Sequence, residues 1–368
     1  MTRPNPVIDI NGRRIGPGEP VYVVAELSCN HGGKFEEAVR LIEAAHEAGA
    51  DAVKLQTYTP DTITLKSEAP PFRIAKDNTW GGRTLHDLYQ EAHTPWEWQP
   101  KLQAAAKRLG ITLFSSPFDA TAVDFLERMQ VPAYKIASFE IVDVPLIQRV
   151  ARTGKPLLLS TGLASLAEIA EAVTAAREAG AEQIALLKCT SNYPAQPGEM
   201  HLSAMRRYAR AFHVPVGLSD HTQGIEVAIA AAALGACVIE KHLILSRARG
   251  GPDAGFSLEP EEFGALVRGV RKAQQAIGTP EAPLSPNALK NRLFRRSLFA
   301  VAEIKAGEWF TEANVRSICP GHGLAPKHLP QILTHRAACD IARGTPLTWE
   351  LIGGPAAAIR RPHAAAAR

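Results

Sequence analysis

Apolar residues in this chain gather in short, nearly unbroken runs that recur at intervals. Eight runs stand out, at 21–27, 52–57, 112–118, 133–138, 156–161, 184–190, 214–220 and 237–243. Strands buried on both faces read this way, whereas a half-solvated strand alternates. Stretches of helical period lie between them. Five times such a stretch closes on a glycine just before the next run: EAGADAVKLQT (47–57), RLGITLFSS (108–116), RTGKPLLLST (152–161), EAGAEQIALLK (178–188) and LGACVIEKH (234–242). Glycine supplies the left-handed conformation that ends a helix and frees the chain to enter a strand. Ser165 and Glu168 form a capping box for the helix before Gly180. Eight such units in about 250 residues predict an α/β fold, a (β/α)8 TIM barrel. An open doubly wound sheet is the alternative, because a count of strands does not prove closure.

Three segments break the rhythm. VIDINGRRIG, before the first run, reads as a hairpin about Asn11-Gly12 and is placed as a plug for the barrel floor. The gap at 58–111 is much longer than the others and holds WGGRTLHDLYQEAHTPWEW (80–98). Long βα insertions belong to the catalytic face of a barrel, so this one is read as a substrate-side loop. Beyond a catalytic domain of 1–278, the Pro-rich TPEAPLSPNALKN opens a linker at 279–292, and short strands and turns at 293–353 predict a small second domain. The Ala-rich end, 354–368, is expected to be a disordered tail.

Composition narrows the classes of function. The chain has 368 residues, 46% of them hydrophobic and 21% charged, as an ordinary globular protein does. Its 41 basic and 37 acidic residues are scattered, which argues against nucleic acid as a partner. The five cysteines have no C-x-x-C spacing and read as free thiols in a reducing compartment. The opening MTRPNPVIDINGRRIG lacks the apolar segment of a secretory signal, and the run 227–239 is too short to span a bilayer. A cytoplasmic protein without membrane partners is expected.

The strand ends carry the chemistry. Polar residues there face the active-site end of a barrel. Glu26, Lys54, Gln56, Ser115, Ser116, Lys135, Ser138, Glu140, Ser160, Lys188, Ser219, His221, Glu240 and His242 all occupy such positions. Lysine and glutamate are rarely buried without a partner or a purpose. The two-residue period puts Ser219 with His221, and Glu240 with His242, on single strand faces. His221 and His242 can therefore meet on one divalent ion. Two imidazoles are too few for a closed structural zinc site, which suits an exchangeable Lewis acid. Lys54 and Lys135, ringed by serines 115, 116, 138, 160 and 219, suit a small doubly charged anion. With no G-x-x-x-x-G-K-[ST] and no G-x-G-x-x-G, nucleotides are unsupported, and a phosphorylated carboxylic acid fits better.

The stretches AELSCNHGG (25–33), DAVKLQTY (51–58), FSSPFD (114–119), AYKIASFE (133–140), LSTG (159–162), KCTSNYPA (188–195), GLSDHT (217–222), EKH (240–242) and GPD (251–253) resemble the sialic acid synthase family. The likeness runs from about residue 20 to 352, and TPWEW (94–98), AVDFLE (122–127) and ASFE are most similar to its pseudaminic acid synthase branch. The resemblance implies a transferase that condenses phosphoenolpyruvate with an N-acetylated, 6-deoxy, di-N-acetylated hexose and water, giving a nonulosonic acid and phosphate. Precursors of N-acetylneuraminate and legionaminate are the alternative acceptors. It implies that Lys54, Ser116, Lys135, Ser138, Ser160 and Ser219 bind phosphoenolpyruvate. Gln56, Tyr193 and Asp253 would meet the sugar, and Glu26 and Glu140 would be the catalytic carboxylates. His221 and His242 would hold a divalent metal ion, manganese above magnesium or cobalt. It also implies that the small domain is antifreeze-like (SAF, β-clip) and, in a homodimer, covers the partner's active site.

Two positions depart from the family pattern. Ser191, followed by Asn192, stands where the sixth-strand loop usually has Asn, and Cys319 in CPGHG stands where an Arg usually reaches the partner's substrate amide. A Schiff-base pyruvate aldolase using Lys188, or a non-catalytic sugar-binding protein, would be the competing readings.

Overall fold

A computed structural model describes residues 5–76, 80–279 and 281–355. The chain divides into two compact units at Gly278 and Thr279.

In the first unit, a hairpin of β1 (Ile8–Ile10) and β2 (Arg13–Ile15) turns at Asn11 and Gly12, both at positive φ. Eight strands follow: β3 (Tyr22–Glu26), β4 (Ala52–Thr57), β5 (Thr112–Pro117), β6 (Tyr134–Ile136), β7 (Leu157–Ser160), β8 (Ile184–Cys189), β9 (Val216–Asp220) and β10 (Val238–His242). All are parallel to their neighbours, and β10 pairs with β3 to close the barrel. Closure removes the open-sheet alternative. Helices α1 (Phe35–Glu47), α2 (Gln99–Leu109), α3 (Ala120–Arg128), α4 (Val144–Ala151), α5 (Leu166–Glu178), α6 (Ala204–Phe212), α7 (Glu226–Ala233) and α8 (Pro260–Ile277) follow the strands in turn. The Ser165–Glu168 capping box opens α5, and Gly110 takes the left-handed conformation at the end of α2.

Alternation along the strands sorts the barrel interior into an apolar floor and a polar top. Val24, Ala52, Phe114, Ala133, Leu158, Leu187 and Val238 share a cluster with Ile8, Ile10 and Ile15 of the hairpin, which thus plugs the floor. Two residues further along the same strands, on the same face by the two-residue period, stand Glu26, Lys54, Ser116, Lys135, Ser160, Cys189 and Glu240. The outward face packs apolar side chains against the helices, as Val23, Ala25, Val53 and Leu55 do with Leu41 and Ile42 of α1.

The insertion after β4 carries a helix at Leu85–Ala92, capped by the Thr84 hydroxyl, which accepts from Asp87 N at 3.1 Å. Trp80 Nε1 donates to the carbonyl of Pro252 at 2.9 Å, tying the insertion to the loop after β10.

In the second unit, β11 (Ser297–Ala300) pairs antiparallel with β12 (Val315–Ile318), and β13 (His335–Ala337) with β14 (Ile352–Pro355), around Leu298, Phe310, Ile332 and Leu347. Residues 354 and 355, expected in the tail, end β14, because the ladder with β13 extends to them. The rest of the expected tail, 356–368, lies outside the described residues. The five cysteines are unbridged.

Candidate active site

A cavity of about 330 Å³ opens where the strands end. Its floor is an ionic cluster buried at the top of the barrel. Lys135 Nζ donates to both carboxylate oxygens of Glu240 at 2.9 Å, and Ser219 Oγ donates to Oε1 at 3.0 Å. Lys54 Nζ touches Glu26 Oε2, lies 3.8 Å from Glu240 Oε1 and donates to Ser116 Oγ at 3.2 Å. Two ammonium groups and two carboxylates are thereby interleaved out of water. Burial would raise the Glu240 carboxyl, yet Lys135 and Lys54 hold it down at about 2. Burial lowers Lys135 despite Glu240, while Glu240 and Glu26 together outweigh burial at Lys54 and raise it.

One side of the cavity is polar. Glu26 Oε1 accepts from Gln56 Nε2 at 3.1 Å and from the Ser28 backbone N–H at 3.0 Å. Ser28 Oγ donates to Asp253 Oδ2 at 2.5 Å. Above the floor, the rings of His221 and His242 lie 5.3 Å apart, with Tyr193 4.5 Å from His221 and Phe256 5.0 Å from His242. His221 Nδ1 lies 3.1 Å from the carbonyl of Thr190, which places a proton on Nδ1, so that in the neutral ring Nε2 carries the lone pair. His242 Nδ1 is buried with no hydrogen-bond partner, 3.6 Å from Asp253 Oδ2. No group of three or more His, Cys, Asp or Glu at metal-holding distance occurs among the described residues. The pair nevertheless fits an open site in which two imidazoles hold an ion and water and substrate complete it, because a buried ring nitrogen with no partner requires one.

Glu140 sits apart from the ionic cluster, beyond the end of β6. It is half-buried, one of its oxygens lacks a partner, and burial pushes its carboxyl up to about 7. Ser138 and Ser160 line the same cavity. A Cβ on Gly162 would come within 2.3 Å of Ser191 Oγ and 2.6 Å of Ser138 Oγ, so any side chain there would force both hydroxyls to move. The insertion adds Ile63, Ile74, Leu85, Leu88 and Ala92 to the lining, together with Tyr58, Trp80 and Tyr89, and Phe118 joins them.

Glu26, Glu140, Lys54, Lys135, Ser138, Ser160, Ser219, Gln56, Tyr193, Asp253, His221 and His242 all line this one cavity, and Ser116 reaches it through Lys54. Two residues fall elsewhere. Ser115 points outward, where its hydroxyl meets Thr57 Oγ1 at 2.7 Å, so it leaves the serine ring. Lys188 has the outward parity of β8, and its ammonium donates to the Cys189 carbonyl at 2.5 Å and the Thr190 hydroxyl at 3.2 Å. That placement removes the support for a Schiff base on Lys188.

The sequence assigned no site role to Glu240; its shared face with His242 turned it toward the cavity, but its pairing with Lys135 leaves no mark in the sequence. Ser28 and Cys189 also went unassigned. Ser28 lies beyond the strand end, and a cysteine among apolar residues carries no distinctive pattern.

A closed (β/α)8 barrel with a buried ionic cluster at its strand ends, followed by a small second unit, defines the class of protein. Residues 41–282 match the NeuB family and residues 295–352 the SAF domain. The chain belongs to the NeuB family, with a (β/α)8 barrel followed by a SAF domain. It is 44% identical over 327 residues to the pseudaminic acid synthase of Campylobacter jejuni serotype O:2, covering 89% of this chain and 95% of that protein. It is 42% identical over 331 residues to the pseudaminic acid synthase of Helicobacter pylori, covering 90% and 97%. Among solved structures, the N-acetylneuraminic acid synthetase of Leptospira borgpetersenii serovar Hardjo-bovis, in complex with citrate, superposes with a TM-score of 0.70 at 29% identity over 78% of this chain and 95% of that one. No helix among the described residues is long and apolar enough to cross a membrane.

Proposed function

We propose that this protein is a transferase that condenses phosphoenolpyruvate with a 6-deoxy, di-N-acetylated hexose and water, giving a nonulosonic acid and inorganic phosphate. The observation that carries the reading is the buried Lys54–Lys135 pair in one cavity with His221 and His242, whose lining also includes aliphatic side chains of the insertion. The relatives named pseudaminic acid synthase support the acceptor class.

In this reading Lys54 and Lys135, with Ser116, Ser138, Ser160 and Ser219, bind the phosphate and carboxylate of phosphoenolpyruvate. His221 and His242 hold a divalent ion, manganese by preference, which when bound polarises the aldehyde oxygen of the open-chain sugar. Gln56, Tyr193 and Asp253 position the sugar hydroxyls and amide. The enol carbon bonds to the aldehyde carbon, a proton reaches the aldehyde oxygen, and water adds at the carbon bearing phosphate. The resulting tetrahedral centre expels phosphate with cleavage of the carbon–oxygen bond. Glu140 is the proton donor, since burial without a cationic partner favours its neutral acid. Burial raises the Glu26 carboxyl as well, against the pull of Lys54, and Glu26 accepts from Gln56 and Ser28, which it holds in place. In a cytoplasmic homodimer, the SAF domain of one copy covers the site of the other.

A donor near pH 7 gives a signed prediction. Glu140 is protonated below about 7 and ionised above it. The value of kcat/KM is therefore expected to fall as pH rises through this value, and Glu140→Gln should remove that limb along with most of the rate. A limb that persists unchanged in the variant would assign it to another group.

The acceptor is tested by phosphate release across hexoses that differ only at carbon 6. Ile63, Ile74, Leu85, Leu88 and Ala92 line the cavity beside Tyr58 and Tyr89, and a hydroxyl buried against the aliphatic side chains without a partner costs about 1–3 kcal/mol. The 6-deoxy acceptor is expected to be preferred by about 10- to 100-fold in kcat/KM. Preference for the 6-hydroxy sugar would redirect the assignment to the N-acetylneuraminate precursor, and the absence of phosphate release with every acceptor would end it.

A further inference from the structure

We propose that Asp220 and Lys241 form a buried strut behind the site that fixes the spacing of His221 and His242, an inference that rests on those histidines holding the metal ion. The two strut residues face each other in the β9–β10 ladder, as its last registered pair. Lys241 Nζ donates to Asp220 Oδ2 at 2.8 Å, and neither side chain has any solvent exposure. Each is followed directly by one of the histidines. By the alternation of a strand, Asp220 and Lys241 lie outside the barrel wall while His221 and His242 project from its inner side.

The strut also grips the turn beyond His221. Asp220 Oδ1 accepts from Thr222 N at 3.0 Å and from Thr222 Oγ1 at 2.8 Å, and Lys241 Nζ donates to the Thr222 carbonyl. The residues on both sides of His221 are thus tied to the residue before His242. His221 itself lies past the last β9–β10 ladder pair, so backbone pairing between these strands does not hold it to its partner. An ion pair this deeply buried is a poor source of net stability, since desolvation offsets most of the attraction. What it supplies is a fixed geometry. The histidine rings, 5.3 Å apart, are where that geometry is used.

The test separates positioning from folding and from the metal reading itself. Asp220→Asn combined with Lys241→Met removes the tie between strands. It leaves an amide oxygen to accept from Thr222, so no lone charge is buried. Free Mn²⁺ is titrated by electron paramagnetic resonance in the wild type, this double variant and His242→Ala. The double variant is expected to keep a thermal midpoint near the wild type and the same affinity for phosphoenolpyruvate without metal. Its Kd for Mn²⁺ should rise by about 10- to 100-fold, as loss of groups that orient metal ligands commonly does. His242→Ala should lose the Mn²⁺ site. A double variant that binds Mn²⁺ as tightly as the wild type, when His242→Ala does not, overturns the strut and leaves the metal reading standing. Equal Mn²⁺ binding by the wild type and His242→Ala, or none by either, overturns both. If the double variant fails to fold, Thr222→Val, which removes one donor from Asp220, should raise the Mn²⁺ Kd in the same direction by a smaller factor. An unchanged Kd there overturns the strut as well.

Discussion

Lys135→Met is expected to raise the KM for phosphoenolpyruvate by about 10- to 100-fold, the equivalent of one lost charge-assisted hydrogen bond. The KM for the sugar should change far less. The variant should also be destabilised, for a separable reason. Glu240 is buried, and Lys135 is the nearer of the two lysines that keep it ionised. Breaking a buried pair from one side costs about 3–5 kcal/mol. The sign with pH follows from the carboxyl, which lies at about 2 in the folded protein against an ordinary 4.5. Stability from this depressed value is fully present above about 4.5 and is lost as pH falls toward about 2. The deficit of Lys135→Met in thermal midpoint should therefore be greatest near neutrality and shrink in acid. Adding Glu240→Gln removes the stranded charge and should recover most of the stability without recovering phosphoenolpyruvate affinity. A Lys135→Met enzyme with normal phosphoenolpyruvate KM and a raised sugar KM would refute the assignment of Lys135 to the anion.

The double role of Lys135 illustrates how far the sequence could be read. Every barrel strand was legible because its burial on both faces leaves an apolar run, the ends of those runs located Lys54 and Lys135, and the two-residue period put Ser219 with His221 on one face. Parity also separates Lys188 from Cys189 and Ser115 from Ser116, although it was not applied to them. Closure was not legible, since pairing of β10 with β3 joins residues more than 200 positions apart and leaves no local mark. Nor was the counter-charge at Glu240. Convergence of lysines could be inferred from strand ends, but which carboxylate neutralises them depends on side-chain reach across the barrel. The aliphatic part of the lining posed a similar difficulty. Ile63 and Leu85 lie at the ends of two short helices and Ile74 on a loop between them, where no period distinguishes a side chain lining a cavity from one packed in a core.

Chelation is expected to abolish phosphate release, and His221→Ala or His242→Ala should do the same with metal present. The reasoning starts from what the imidazoles lack. His221 spends Nδ1 on the Thr190 carbonyl, and His242 Nδ1 is buried without a hydrogen bond. Two ring nitrogens brought together at a cavity mouth, with lysines already compensated below by Glu26 and Glu240, leave the aldehyde oxygen with no fixed cation except one held by the histidines. Lewis-acid stabilisation of developing oxygen charge is worth several kcal/mol. Each 1.4 kcal/mol is about tenfold in rate, so the loss should be on the order of a thousandfold or more. Manganese should restore the chelated wild type best, with cobalt and magnesium restoring less, and none should restore the histidine variants. Phosphoenolpyruvate should still bind all of these proteins, because Lys54 and Lys135 are untouched. Its affinity, followed by the quenching of intrinsic fluorescence, distinguishes a lost metal site from a collapsed barrel. Undiminished turnover after chelation, in protein shown to be free of divalent metal, would refute the role given to the two histidines.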